Sequence, residues 1–284
     1  MALPEGFDLA EFVKRVLAED FGRNGDVTSK ATISETARFT AEMNARQKIV
    51  VAGVDIAAAF FRELDGAVEI ERLVDDGAQV SHGTTLMRLT GNARAMLAAE
   101  RPALNTLQHL SGIATLTRQY VDAIAGTGTV LLDTRKTIPG LRLLDKYAAR
   151  MGGAQNHRMR LDDGVLIKGN HFAVCGGVAE AVRRAKAANT GLQVQVEVDR
   201  IDQIEPALDA GADRLLLDNM DPAKLREAVT LVAKRVPLEA SGGVTLDTIR
   251  FLAETGVDFI SVGRITQSAP AVDIGLDYSL ASAS

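Results

Sequence analysis

Six short segments of this 284-residue sequence bring together groups that bind anions or metal ions. They are Asp133-Thr134-Arg135-Lys136-Thr137, Lys168-Gly169-Asn170-His171, Glu197-Val198-Asp199, Asp218-Asn219, Ser241-Gly242-Gly243 and Gly263-Arg264. Arg135, Lys136, Arg158 and Lys168, with His157, can gather several anionic groups. Arginine does so as a bidentate fork for carboxylate or phosphate oxygens, lysine as a point charge. Glu197 and Asp218 come from separate segments and suit two carboxylates holding Mg2+ beside a substrate phosphate. The plainer alternative is that they pair with Lys168 and Arg135. Ser241-Gly242-Gly243, with a helix predicted to start near Thr245, offers backbone N–H groups to a phosphate. Alone it is also an ordinary tight turn; Gly263 in the next such segment completes an arrangement common in phosphate-binding barrels.

The runs just before these segments have strand character: Thr129–Leu132, Val165–Ile167, Gln193–Val196, Arg214–Leu217, Pro237–Glu239 and Phe259–Val262. Helical spacing fills Asp202–Leu208, Pro222–Ala233 and Thr245–Ala253. Alternating strand and helix predicts βαβ units and a parallel sheet. No Gly-x-Gly-x-x-Gly follows the first strand, which argues against a dinucleotide fold. An incomplete (βα) barrel fits, with a seventh strand candidate near Gly152–Arg158. Working residues of such barrels lie at the C-terminal ends of the strands, where all six segments fall.

Upstream the texture differs. Phe7–Asp20 reads as an amphipathic helix capped by Asp8, Thr36–Val51 as strand, and Asp55–Leu64 as a second helix. The glycine-bounded stretch Asp76–Leu86 resembles the turn pattern of biotinyl and lipoyl carrier domains. However, no lysine occurs between Lys48 and Lys136, so the attachment point is missing. A small α/β domain with a hammerhead-like sheet is expected. Asn92–Ala125 is helical but contains Pro102, which costs about 3 kcal/mol in a helix interior, so two helices are expected there. The predicted division is an N-terminal α/β domain over 1–115, a catalytic βα barrel over 116–270, and a tail over 271–284 that returns to the N-terminal domain.

Hydrophobic residues make up 46% and charged residues 24%, with a net charge of −5 and no long run of one sign. That is the make-up of a globular enzyme and argues against nucleic-acid binding. Cys175 is the only cysteine, which excludes an intrachain disulfide and suits a reducing compartment. No apolar run reaches the roughly 18 residues of a membrane span, and Met1–Leu9 lacks the pattern of a signal peptide, so a cytoplasmic location is expected. His82 and His109 read as surface or packing residues, Cys175 as a packing thiol, and His171 as an organiser of the Lys168 strand end. Asp199 reads equally as a support for the site or a helix cap.

A substrate with a terminal phosphate, further anionic groups and a Mg2+-binding moiety answers these features, and phosphoribosyl pyrophosphate has all three. The sequence also resembles the quinolinate phosphoribosyltransferase family. The resemblance runs through most of the chain, from Gly25-Asp26-Val27-Thr28, Glu100-Arg101 and Leu110-Ser111-Gly112-Ile113-Ala114 to the six segments themselves. Asp133-Thr134-Arg135-Lys136-Thr137 and Asn156-His157-Arg158 at this spacing are its most specific parts. The resemblance implies the reaction of quinolinate with phosphoribosyl pyrophosphate to nicotinate mononucleotide, pyrophosphate and CO2, with Mg2+, in NAD biosynthesis. It implies a homodimer, or a multiple of one, in which Arg101 reaches the neighbouring subunit's site. It places Arg135, His157, Arg158 and Lys168 around the quinolinate carboxylates. Lys136, Glu197 and Asp218 would serve the phosphoribosyl pyrophosphate and its metal, and Ser241, Gly242 and Gly263 the 5′-phosphate, with Gly243 in the same turn. Lys136, Lys168, Glu197 and Asp218 form the expected catalytic set.

The chain departs from the family pattern at Pro102, Ala154, Met159-Arg160, Gly169 and Gln267, which bears on affinity more than on reaction class. Three rivals stand beside this reading: a paralogue of the same fold associated with molybdenum transport, which the complete arginine and lysine set argues against; an aldolase-like barrel with Lys168 as Schiff-base nucleophile; and a non-catalytic binding protein with a carrier-like N-terminal part, which the missing lysine and the charged strand ends oppose.

Overall fold

Asp8 starts the first helix, α1 (Leu9–Phe21), by accepting a hydrogen bond from the Glu11 N–H at 2.9 Å, and Phe12, Val13 and Leu17 form its buried face. The computed structural model describes residues 3–280; residues 1–2 and 281–284, the end of the predicted tail, lie outside the described residues. Next come α2 (Val27–Thr32), β1 (Arg38–Ala45), β2 (Ile49–Val50), α3 (Val54–Leu64), β3 (Glu69–Arg72), β4 (Gln79–Val80) and β5 (Thr85–Asn92). β1 alternates exposed and buried residues, the pattern of a sheet with one face on a core. The Asp76 turn that looked like a carrier-domain loop has a structural task. Its carboxylate accepts the Gly53 and Val54 N–H groups at 2.8 and 3.0 Å, capping α3 from a distant part of the chain.

The expected break at Pro102 does not occur. One helix, α4, runs from Ala93 to Ala123 with Pro102 inside it. Proline removes one backbone hydrogen bond, but Ala99, Pro102, Ala103, Leu104, Leu107 and Leu110 are buried along this stretch. That burial, at about 25 cal/mol per Å2 of apolar surface, offsets a penalty of about 3 kcal/mol.

The alternating segment follows as β6 (Val130–Leu132), α5 (Arg142–Gly152), β7 (Val165–Ile167), α6 (Gly169–Cys175), α7 (Val178–Ala187), β8 (Val194–Val198), α8 (Ile204–Asp209), β9 (Arg214–Asp218), α9 (Pro222–Val232), β10 (Leu238–Ser241), α10 (Leu246–Ala253), β11 (Phe259–Ser261), α11 (Arg264–Gln267) and β12 (Ile274–Leu280). All six predicted strands are present, each within two residues of its expected bounds at either end. The helices α5, α6 and α7 were not anticipated.

By internal contacts the chain forms two units: residues 1–116, 143–152 and 268–284, and residues 117–142 and 153–267. The first contains an antiparallel sheet of order β12-β1-β5-β3, so the C-terminal strand pairs with β1. Within this unit His109 reaches Asp145 at 2.8 Å, a packing role as expected. The second unit is built on a six-stranded parallel sheet of order β6-β11-β10-β9-β8-β7. Its central strands are buried almost throughout, as strands covered on both faces are. Gln155 adds a one-residue parallel bridge to Leu132, where the seventh strand was expected. Among the described residues that bridge and β7 do not pair, so the barrel is incomplete.

Candidate active site

The C-terminal strand ends converge on a cavity of about 560 Å3 lined by Arg135, Lys136, His157, Arg158, Lys168, Glu197, Asp218, Ser241, Gly242 and Gly243. All belong to the second unit. Of the expected site residues, only Gly263 and Arg101 lie off this lining. Gly263 packs directly behind it: a Cβ there would stand 2.7 Å from Lys136 Cδ, so the glycine makes room for the lysine stem. The Lys136 carbonyl accepts from Thr266 Oγ1 at 2.8 Å and its N–H donates to Thr134 Oγ1 at 3.0 Å. Lys136 is thus an exposed ammonium on a fixed backbone. Arg101 lies in the first unit, exposed on α4.

On the cationic side Arg135 and Arg158 form no ion pair among the described residues, although the Asp163 carboxylate acts on Arg158 from further off. Arg158 is partly buried and donates from Nη1 to the Gly164 carbonyl at 2.9 Å, which fixes its direction. Burial, and then the positive charge of Arg135, hold its guanidinium below the usual arginine range. Nε of Arg135 is buried without a hydrogen-bond partner. Two neighbouring guanidiniums with no ion-pair partner among the described residues favour a multiply charged anion.

The next two strand ends combine both signs. The Lys168 ammonium hydrogen-bonds the Glu197 carboxylate from the adjacent strand. The Lys168 N–H donates to His171 Nδ1 at 2.9 Å, so His171 does organise this strand end. Asp218 Oδ2 accepts from Asn219 Nδ2 at 2.8 Å. Asn219 sits at φ 55°, its N–H on the Ser241 carbonyl at 2.8 Å, and its side chain fills the space a Cβ on Gly242 would need. Gly242 itself is at φ 97°, a region open to glycine, so both backbone angle and packing require glycine there. Ser261 Oγ donates to Ser241 Oγ at 3.0 Å, ordering the hydroxyl at the start of this turn. A second recess of about 480 Å3, lined by Asp199, Arg200 and Gln203, shares Glu197 and Asp218 with the main cavity.

Among the described residues no three His, Cys, Asp or Glu side chains converge to cage a metal ion. Glu197 and Asp218 are a donor set of two hard oxygen ligands. That fits Mg2+, which is commonly held by one or two carboxylates while substrate phosphates complete its shell.

Sequence reasoning overlooked what lies beneath the cavity. Glu239 is wholly buried. Its Oε2 accepts from Gln195 Nε2 at 2.7 Å and lies 2.8 Å from Arg214 Nη2 and 3.4 Å from His157 Nε2. The Arg214 contact is a charge pair without hydrogen-bond alignment, and Arg214 also stacks 3.9 Å from the Phe259 ring. Burial pushes the Glu239 carboxyl upward, but His157 and Arg214 outweigh it and hold it below the usual glutamate range. Gln195 of β8, Arg214 of β9 and Glu239 of β10 meet because the register of these neighbouring strands puts all three on one face of the sheet, Gln195 opposite Arg214 and Glu239 opposite Leu216. Buried Asp133 likewise anchors the next loop, accepting from the His157 N–H at 2.8 Å and Asn156 Nδ2 at 2.5 Å. The signal available was a charged or amide residue inside a short apolar strand, which has little meaning until its partners are known.

Fold and site together define a barrel enzyme that handles phosphate and carboxylate. Comparison with known proteins narrows the class. Residues 26–111 match the quinolinate phosphoribosyl transferase N-terminal domain and residues 113–277 its C-terminal domain. The chain belongs to the quinolinate phosphoribosyl transferase family. It is 42% identical, over 95% of its length and 98% of the relative's, to the nicotinate-nucleotide pyrophosphorylase [carboxylating] of Mycobacterium leprae. It is 40% identical to the chloroplastic nicotinate-nucleotide pyrophosphorylase [carboxylating] of Arabidopsis thaliana, over 95% of this chain and 82% of that one. Among solved structures, the nicotinate-nucleotide pyrophosphorylase from Francisella tularensis superposes with a TM-score of 0.93 at 39% identity, covering 98% of this chain and 100% of that one.

Proposed function

We propose that the chain transfers the phosphoribosyl group of phosphoribosyl pyrophosphate to quinolinate with loss of CO2, giving nicotinate mononucleotide and pyrophosphate in NAD biosynthesis. The observation that carries this reading is one cavity with two halves: Arg135 and Arg158, in no ion pair among the described residues, on one side, and Glu197 and Asp218 with the Ser241 turn on the other.

In this reading Arg135, Arg158 and Lys168 hold the two quinolinate carboxylates and so aim the pyridine nitrogen at the anomeric carbon. Ser241, Gly242 and Gly243 hold the 5′-phosphate, with Gly263 placing Lys136 beside the pyrophosphate. As the nitrogen–carbon bond forms and pyrophosphate departs, positive charge develops on the ribose, where the Asp218 carboxylate stabilises it. Lys136 offsets the negative charge leaving with pyrophosphate. Glu197 and Asp218 would hold Mg2+, which when bound supplies further positive charge for the phosphate oxygens. The ring nitrogen, now cationic, accepts the electrons of the C2–carboxylate bond; CO2 leaves and a proton takes its place. No covalent nucleophile is needed, and positioning carries much of the rate. Lys168 sits on Glu197 rather than alone in an apolar pocket, which favours this chemistry over a Schiff base.

Exposed Arg101 suits a homodimer in which it completes the partner's cavity. Mixing subunits of Arg101→Ala and Lys168→Ala, each inactive alone, is expected to restore partial activity; no recovery in confirmed mixed assemblies contradicts a shared site. No helix among the described residues is long and apolar enough to cross a membrane, which accords with the cytoplasmic location we infer. The reaction is tested by supplying quinolinate and phosphoribosyl pyrophosphate with Mg2+, using nicotinate as comparison. Equal amounts of CO2 and nicotinate mononucleotide are expected from quinolinate, and turnover of nicotinate in its place sinks the reading.

A further inference from the structure

We propose that Glu239 is a positioning residue for this cavity: with Gln195 and Arg214 it sets the orientation of the His157 ring, Nε2 toward the carboxylate and Nδ1 toward the Arg158 N–H, and through His157 it fixes the backbone that aims Arg158 at the dicarboxylate. The proposal rests on the functional reading above for the substrate, but not for the network itself.

Both nitrogens of the His157 ring are engaged. Nδ1 accepts the Arg158 N–H at 2.8 Å, so it carries a lone pair and no proton. With no proton on Nδ1, the ring proton is on Nε2, which faces the Glu239 carboxylate at 3.4 Å. A ring held this way is a strut. The segment around it is pinned on every side. Asp133 at the end of β6 holds the His157 N–H and the Asn156 amide, and the Arg158 N–H is held by the ring. The Arg158 side chain is then held by the Gly164 carbonyl. The charged groups facing His157 are Asp133, Arg158, Arg214 of β9 and Glu239 of β10.

Packing alone does not explain a carboxylate here. Burying a charge is costly unless it is paired and hydrogen-bonded, and an apolar side chain would fill the floor without that cost. Arg214 alone does not explain it either, because the same Oε2 atom also receives Gln195 and faces His157. What the carboxylate adds is an acceptor for Nε2–H, which keeps the ring turned so that its Nδ1 lone pair meets the Arg158 N–H.

The test uses the full-length protein labelled with 15N-histidine; the four histidines are separated by the signal lost in His157→Gln. In the ligand-free wild type the His157 ring is expected to show Nε2 protonated and Nδ1 unprotonated, and a protonated Nδ1 overturns the proposal without any substitution. Glu239→Gln is expected to mix the tautomers. It should also raise KM for quinolinate about tenfold, the scale of one lost hydrogen bond to a charged group, with kcat and KM for phosphoribosyl pyrophosphate changed far less. An unchanged tautomer, or a rise in both KM values together with a fall in kcat, overturns it. If Glu239→Gln does not fold, Gln195→Leu, which removes one donor to the same carboxylate, takes its place with the same expectations at smaller amplitude. Should the wild type fail to turn over quinolinate at all, the functional reading falls, and the ring spectrum still judges the network.

Discussion

At the mouth of the barrel Arg135 and Arg158 stand together with no ion-pair partner among the described residues, whereas on its floor Arg214 lies 2.8 Å from the buried Glu239 carboxylate. The same residue type is thus left open in one place and closed in the other. Closed charges hold architecture: they meet acceptors from neighbouring strands and tolerate no exchange. Open charges carry an unmet electrostatic demand that a ligand can meet. Lys168 and Glu197 stand between these extremes, paired to each other yet lining the cavity, so a ligand that takes either one frees the other.

The largest expected effect breaks the floor. Glu239→Ala leaves Arg214 buried without its carboxylate, and loss of one partner of a buried pair costs about 3–5 kcal/mol, read as a lower denaturant midpoint. Because the Glu239 carboxyl is held below its ordinary range, its contribution is complete above the unfolded glutamate value of about 4.3 and is lost as pH falls through the folded one. The gap between wild type and Glu239→Ala should therefore narrow under acid; a constant gap contradicts a charged Glu239. Next comes the mouth. Lys136→Ala is expected to lower kcat roughly 100- to 1,000-fold, the scale for removing one group that stabilises developing charge, with the melting temperature unchanged because Lys136 is exposed. Comparable pyrophosphate release by that variant would remove Lys136 from the mechanism. The smallest effect is Gly263→Ala, whose methyl group must displace the Lys136 stem. A loss of about tenfold in kcat with little loss of stability is expected, and an unaffected rate shows that Lys136 does not depend on this gap.

The open charges were legible in the sequence and the closed ones were not, for a physical reason. Arg135, Lys168, Glu197 and Asp218 each follow a short apolar run, and in a parallel barrel that position means the mouth. Gln195, Arg214 and Glu239 lie within such runs. In strands of four or five residues the two-residue alternation is too brief to tell inward from outward. Their partners are set by strand order and register, which put β8 and β10 on either side of β9 and leave no trace in local order. His157 shows the same limit: its neighbours in sequence suggest a substrate-binding cation, while its neighbours in space occupy both ring nitrogens. Pro102 misled for the opposite reason, since a local rule was overridden by burial along α4. The pairing of β12 with β1 joins residues more than two hundred positions apart and had only the expectation of a returning tail to announce it.

The central claim is that the two halves of the mouth serve different ligands. Calorimetric titration of Arg158→Ala and Glu197→Ala, each with quinolinate alone and with Mg2+ and phosphoribosyl pyrophosphate alone, tests it most directly. Arg158→Ala should lose most affinity for quinolinate and keep that for phosphoribosyl pyrophosphate, and Glu197→Ala should show the reverse. Equal loss of both ligands in both variants would contradict the division.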